Sequence, residues 1–86
     1  MPELCRFLGM VISIYFEDHN PPHFHVEYDG SKVLISIVDL SVLKGDLPPR
    51  VLGLAMEWAR LHQKELLENW NMIQKTGKFF KIEPLT

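Results

Sequence analysis

"HFHVEYDGSKVLISIVD", residues 23–39, has the pattern of a β-hairpin and decides the predicted fold. Apolar and polar side chains alternate through its first half, as they do along a half-buried strand. One face of that strand carries Phe24, Val26 and Tyr28, and the other carries His23, His25 and Glu27. Asp29-Gly30 is a strong turn signal, because a type I′ turn needs positive φ at both central positions. Residues 31–39 then form the predicted return strand.

Two further segments extend this hairpin into a sheet. "FLGMVISIYFED", residues 7–18, is rich in β-branched and aromatic residues and stops at Asn-Pro-Pro, which predicts a strand. Residues 40–46 predict a short fourth strand. Strands joined in chain order by tight turns predict an antiparallel meander of three to four strands, with one face free to pack against a helix.

The second half of the chain has the pattern of one long amphipathic helix. Asp46 is the predicted N-cap, Pro48 or Pro49 suits the first turn, and Gly77 is a stop signal. At 3.6 residues per turn, the apolar stripe comprises Val51, Leu54, Ala55, Trp58, His62, Leu66 and Ile73. A helix of about 27 residues would be about 40 Å long, which is longer than a small sheet needs. A break near residues 69–72 or an overhanging end is therefore expected.

These elements predict an α+β protein, an antiparallel β-meander packed against one long C-terminal helix, in a single domain over residues 1–86. Residues 78–86 contain a short final strand or a docking tail. Because a one-residue shift exchanges the faces of a strand, either the Phe24 row or the His23 row meets the helix. Three apolar side chains favour the Phe24 row, which places His62 apart from the other histidines.

Composition and charge restrict the classes of function. The chain has 86 residues, of which 47% are hydrophobic and 23% charged, as in an ordinary globular domain. Its 9 Lys+Arg against 11 Asp+Glu weigh against nucleic-acid binding, which needs several cations to replace phosphate counterions. The chain has a single cysteine, no signal-peptide pattern and no apolar run of membrane-spanning length. A cytoplasmic protein that does not contact a membrane is expected.

Three of the 4 histidines lie within residues 19–25, around a Pro-Pro step. On a strand, residues i and i+2 point the same way about 6.5–7 Å apart, so the rings of His23 and His25 can converge. Glu27 continues their row, and His19 can return across the Pro-Pro turn. Two histidines and a carboxylate suit a divalent transition metal such as zinc or nickel. The predicted metal ligands are His19, His23, His25 and Glu27.

Two other interpretations of the histidine row stay open. His23 and His25 can form an acid/base pair in catalysis, since histidine titrates near neutral pH. The row can equally be an ordinary solvent-facing strand surface, with Pro21-Pro22 as a stiff connection.

Three segments of the chain resemble a widespread family of small bacterial proteins, the domain of unknown function DUF4160. They are "MPELCRFLGMVISIYFEDHNPPHFHVEYDG", "GDLPPRVLGLAMEWARLHQKELLENW" and "KIEPL". The family signature falls on Asp18, His19, Asn20, Pro21, Pro22, His23, His25 and Glu27, and on Leu47, Pro48, Pro49 and Arg50. The resemblance implies a compact bacterial cytoplasmic protein and the location of a site, but no reaction. Family members are often encoded beside another small protein, which suggests an operon partner, as in toxin–antitoxin pairs.

Two hypotheses about function follow, with DNA binding by the helix as a distant third. The leading one is a non-enzymatic regulatory module that binds a small protein partner or a second copy of itself. Its interface would be the helix end and the "KFFKIEPL" tail, residues 78–85. The alternative is a metal- or histidine-dependent hydrolase or nuclease. In that reading His23 and His25 are ligands or acid and base, Glu27 is a third ligand, and zinc or nickel is the cofactor.

Overall fold

The computed structural model describes residues 3–16 and 18–85 and shows an α+β fold. Within these residues, five strands form one antiparallel sheet in chain order. They are β1 (Glu3–Phe7), β2 (Met10–Ser13), β3 (His23–Tyr28), β4 (Ser31–Ser36) and β5 (Val42–Gly45). Two helices follow in the same part of the chain, α1 (Pro49–Leu61) and α2 (Gln63–Thr76). The predicted meander is confirmed, with five strands instead of three or four and two helices instead of one.

The additional strand is β1, which precedes the strand predicted over residues 7–18 and shares only Phe7 with it. The chain reverses at Leu8-Gly9, with φ of 49° and 82°, and so separates β1 from β2. Glycine adopts positive φ freely and leucine rarely does, which makes Leu8-Gly9 a weak turn signal. The predicted turn at Asp29-Gly30 is confirmed, with φ of 47° and 81°.

The helical region breaks at His62, so the expectation of one helix with a break near residues 69–72 is wrong. His62 has φ −121° and ψ 22° and separates α1 from α2. The Gln63 side-chain amide donates hydrogen bonds to the carbonyls of Ile37 and Val38, at 2.6 and 2.9 Å. These bonds tie the first turn of α2 to the chain that leaves β4. Neither proline nor glycine marks the break, so helix periodicity does not reveal it.

The other helix ends follow most of the sequence signals. Pro49 lies in the first turn of α1, as predicted, but Pro48 is the N-cap residue and no side chain caps this helix, so Asp46 is not the cap. Gly77 ends α2 in the left-handed conformation, with φ of 76°. Among the described residues, no helix combines the length and apolar character needed to cross a bilayer.

The Phe24 face of β3 packs against α1, as its apolar side chains predict. Phe24 and Val26 are fully buried, and the rings of Phe24 and Trp58 meet edge-on with centroids 6.1 Å apart. The Phe7 ring lies 5.9 Å from the same indole. Because side chains alternate along a strand, the opposite face of β3 carries the histidines.

The segment after α2 is a docking tail, and the final strand is not formed among residues 77–85. The Ile82 N–H donates a hydrogen bond to the Leu4 carbonyl at 3.0 Å, and the Ile82 side chain is buried. The Trp58 indole N–H donates to the Glu83 carbonyl at 2.8 Å. Trp58 therefore joins the sheet, α1 and the tail.

Trp58→Ala is expected to lower the free energy of unfolding by about 3–5 kcal/mol, because it leaves a cavity between these three parts. Trp58→Phe keeps an aromatic ring but loses the hydrogen bond to Glu83, for an expected loss of about 1–2 kcal/mol. Leu61→Ala, at an exposed position of α1, is the control and should change the value by less than about 0.5 kcal/mol. Urea unfolding measures all three variants. A Trp58→Phe loss no larger than that of the control would contradict this role of the indole.

Candidate functional site

β3 and the loop before it bring two histidines and a carboxylate together. His23 and His25 stand on the same face of β3, with ring centroids 5.2 Å apart. The loop between β2 and β3 places Asp18 beside them, so that its Oδ2 atom lies 3.0 Å from the Nε2 atoms of both rings. One ligand atom from each of the three side chains lies within 4.8 Å of the other two. We call this group the Asp-His-His cluster.

The Asp-His-His cluster is largely removed from solvent. The side chains of His23, His25 and Asp18 are 6%, 15% and 21% exposed. The Trp70 ring of α2 lies 5.4 Å from the His23 ring, and the Tyr15 ring meets the His25 ring edge-on at 4.2 Å. Because aromatic rings enclose the cluster, its charges and hydrogen bonds interact more strongly than on a solvated strand.

The His23 ring is held in one tautomer. Its Nδ1–H donates a hydrogen bond to the Pro21 carbonyl at 2.8 Å, which leaves Nε2 without a proton in the neutral ring. Nε2 is buried and has no hydrogen-bond partner among the described residues. The Asp18 Oδ2 atom is 3.0 Å away, but the two atoms are not aligned for a hydrogen bond. Two acceptors therefore face each other, and a cation near both would remove their repulsion.

The other two groups have charge states that suit metal binding. The His25 Nε2–H donates to the Asp18 Oδ2 atom at 3.0 Å. Burial lowers the pKa of His25 and outweighs the opposing effect of the Asp18 carboxylate. For Asp18, burial opposes ionisation, but the hydrogen bond from His25 and the interactions with both histidines lower its pKa. Near neutral pH the pair is a carboxylate and a neutral imidazole, the forms that coordinate metal ions.

The donor atoms and their spacing fit zinc or nickel after small displacements. Zinc binds nitrogen and oxygen at about 2.0–2.2 Å, so its ligand atoms lie about 3.3 Å apart in a tetrahedron. The two Nε2–Oδ2 distances of 3.0 Å are close to this spacing. His23 already has the outer contact typical of a metal ligand, because its other ring nitrogen donates to a backbone carbonyl. His25 would bind through Nε2 after its proton moves to Nδ1.

Of the four residues predicted as ligands, the structure brings His23 and His25 together and leaves His19 and Glu27 outside the cluster. His19 is exposed, and only its backbone N–H reaches Asp18, at 3.3 Å. Glu27 lies two residues after His25 on β3, opposite Lys32 of β4 in the sheet. The sequence analysis did not name Asp18 as a member of the cluster, although it belongs to the signature segment. The position of Asp18 beside the two histidines depends on the path of the loop that contains Pro21-Pro22. The spacing of residues in the sequence does not predict this path.

Two other chemically capable side chains lie apart from the cluster. The His62 Nδ1 atom and the Glu65 carboxylate are 2.6 Å apart, and the His62 ring lies 5.3 Å from the Trp58 ring. Cys5 is buried in β1, and burial raises the pKa of its thiol to about 12. A thiol with this pKa supplies almost no thiolate near neutral pH, which disfavours Cys5 as a nucleophile.

A cleft of about 400 Å³ adjoins the cluster at His25. Cross-strand pairing builds part of its surface, because His25 lies opposite Leu34 on β4, and Leu34 lies opposite Lys44 on β5. The complete lining comprises Tyr15, His25, Lys32, Leu34, Lys44 and Gly45. His25 thus belongs both to the cluster and to a cleft that carries two lysines.

Comparison with known protein families identifies the family to which this chain belongs. The model of a family described as a domain of unknown function, DUF4160, matches residues 9–71. The matched range covers most of the 86 residues, including Asp18, His23 and His25. The chain therefore belongs to the DUF4160 family, which confirms the resemblance. No match is found among curated proteins or solved structures.

The His23 ring is expected to carry a proton on Nδ1, because the Pro21 carbonyl can only accept a hydrogen bond. Long-range proton–nitrogen NMR spectra of metal-free protein at about pH 8, where free histidine is neutral, distinguish the tautomers. His23→Gln assigns the resonances, and exposed His19 is the reference ring. A His23 ring with an unprotonated Nδ1 would contradict the arrangement.

Proposed function

We propose that this member of the DUF4160 family binds one zinc ion through Asp18, His23 and His25 and uses it to hydrolyse an ester bond in a small substrate. The observation that carries the proposal is the buried His23 Nε2 atom, which faces the Asp18 carboxylate without a hydrogen atom in line between them. A shared proton needs the two heavy atoms in line. A metal ion bound by two ligand atoms does not have to lie on the line between them. The positions of the His23 Nε2 atom and the Asp18 carboxylate therefore favour a metal ion over a shared proton.

The number of ligands favours a catalytic role over a structural one. Structural zinc sites are closed by four protein ligands, whereas catalytic sites use three and keep one position for water. Zinc lowers the pKa of that water toward 7, which supplies a nucleophile near neutral pH. Trp70 and Tyr15 cover the histidine rings, and the cleft at His25 offers space for a substrate.

A divalent cation also suits the acidic sequence segment to which Asp18, His23 and His25 belong. Residues 17–30 contain four acids, Glu17, Asp18, Glu27 and Asp29. Without a cation these charges would repel an anionic substrate, and a bound metal ion reverses the local charge.

Tag-free protein is expected to bind about one zinc ion per chain in calorimetric titration. Asp18→Asn keeps the shape of the side chain but removes the ligand charge, and should weaken zinc binding by at least about 100-fold. Glu27→Gln makes the matched change outside the cluster and should stay within about twofold of the unsubstituted protein. Equal effects of the two substitutions, or no zinc binding at all, would contradict the proposed site.

The same variants test hydrolysis of para-nitrophenyl acetate, a small uncharged ester. Zinc-loaded protein should hydrolyse it faster than metal-free protein, and Asp18→Asn should lose this zinc-dependent rate while Glu27→Gln keeps it. Zinc binding without any gain in rate would leave the metal site standing and remove the hydrolase function.

A second candidate function, binding of a small protein partner, is supported by another part of the surface. The tail buries Ile82 but leaves Phe79 and Phe80 40% and 37% exposed. Exposed Lys78 and Lys81 flank this aromatic pair. An apolar pair between two cations suits a partner with an apolar patch and an acidic rim. The protein encoded beside this one is the proposed partner, in a regulatory pair of the toxin–antitoxin kind.

Size-exclusion chromatography of the two proteins tests this second candidate. Phe79→Ser/Phe80→Ser is expected to abolish co-elution, because it removes the aromatic pair. Leu67→Ser, at an apolar side chain of α2 that is also 40% exposed, is the control and should leave the complex intact. Failure of the unsubstituted proteins to co-elute at micromolar concentrations would argue against partner binding.

A further inference from the structure

We propose that the cleft beside His25 binds the phosphate group of a small phosphate monoester, which Lys32 and Lys44 recognise. This inference rests on the proposed function, because the zinc site would supply the reacting water. It adds the class of substrate and the two residues that select it.

The register of the sheet places both lysines on the histidine face. Lys44, Leu34 and His25 lie directly opposite one another across β5, β4 and β3, so their side chains form one row. Lys32 stands two residues before Leu34 on β4 and therefore points to the same face. Both lysines line the cleft together with His25.

A close approach of two strands keeps the lysines together. Gly45 follows Lys44 with φ of 81°, and a Cβ atom built on it would lie 2.2 Å from the Lys32 carbonyl oxygen. A residue with a side chain does not fit at this distance from the backbone. Gly45, the last residue of β5, therefore lets this strand pass close to Lys32 directly beside Lys44.

Neither lysine forms a salt bridge within residues 3–16 and 18–85. The salt bridge found there joins Arg6 to Glu3, and the other close contacts join histidine rings to carboxylates. Glu27 lies opposite Lys32 in the ladder but does not pair with it. Two such cations on one rim attract an anion to the cleft.

The size and lining of the cleft suit a small phosphate ester. About 400 Å³ lies in the range of small-molecule sites. Leu34 and Tyr15 give apolar contact surface for the organic part of the ester. Lysine ammonium groups bind phosphate as point charges, and a phosphate monoester carries about −1.5 to −2 charge at pH 7, which two lysines match. A long nucleic acid needs more cations than this rim offers on a chain of net charge −2.

In the reaction that this assigns, the oxygen of water forms a bond to phosphorus and the bond between phosphorus and the alcohol oxygen breaks. The electron pair of the broken bond leaves with the alcohol oxygen, which takes up one proton from the water. The products are inorganic phosphate and the free alcohol, and the reaction needs no oxidant or reductant.

Binding is measured first on metal-free protein, so that the result does not depend on zinc. Titration with para-nitrophenyl phosphate should shift the backbone NMR resonances of Leu34 and Gly45. Lys32→Gln/Lys44→Gln should weaken binding by about tenfold or more, because it removes both charges that face the anion. Lys64→Gln/Lys75→Gln removes the same charge from exposed positions outside the cleft and should stay within about twofold. Equal weakening in the two double variants, or no binding, overturns the inference.

Zinc-loaded protein then separates this inference from the proposed function. Zinc-dependent hydrolysis of para-nitrophenyl phosphate that is reduced only in Lys32→Gln/Lys44→Gln supports both. Hydrolysis of the acetate ester alone overturns the phosphate substrate and leaves the zinc hydrolase standing. Lysine-dependent phosphate binding by a protein that binds no zinc supports recognition in the cleft and overturns the zinc chemistry. Tighter lysine-dependent binding of a short single-stranded oligonucleotide than of the monoester overturns the assignment to a small ester.

Discussion

Packing of Phe24 against Trp58 determines where the Asp-His-His cluster lies. Side chains alternate along a strand, so burial of Phe24 beneath α1 puts His23 and His25 on the opposite face of β3. A slip of one residue would turn the imidazoles into the core and the apolar row outward. The same indole also holds the tail, through its hydrogen bond to the Glu83 carbonyl. The core, the tail and the candidate site therefore depend on one strand register.

Most of the fold was predicted from residue types and patterns that act locally in the chain. Features that depend on contacts between distant residues were not predicted. Asp29-Gly30 and Gly77 adopt positive φ, a conformation that residue type reveals directly. Leu8 and Gly9 also have positive φ, but leucine rarely adopts this conformation, so its presence does not predict a turn. The break at His62 is accompanied by hydrogen bonds from the Gln63 side chain to the distant carbonyls of Ile37 and Val38, which periodicity along one helix cannot indicate.

The same distinction applies to the site. The two-residue periodicity of a strand predicted that His23 and His25 lie together. Asp18, the third member of the cluster, belongs to a loop, and the path of a loop does not follow from periodicity. The interpretation of the row as a solvent-facing surface does not fit His23, whose side chain is buried beneath Trp70. Its burial depends on where α2 lies after the break at His62. The sequence therefore indicated where the cluster lies, while the third member of the cluster depends on the loop and the burial of His23 depends on α2.

His25 belongs both to the Asp-His-His cluster, which favours a cation, and to the cleft, which favours an anion. The cluster presents two facing acceptors that a cation would stabilise, and the cleft presents Lys32 and Lys44, which an anion would stabilise. The Asp18 carboxylate alone repels an anion in the cleft, whereas with a zinc ion the local charge becomes positive. Each ligand therefore lowers the electrostatic cost of binding the other, and thermodynamic linkage requires that this effect be the same in both directions. The proposed metal site and the proposed anion site therefore share the His25 imidazole and would act as two halves of a single site.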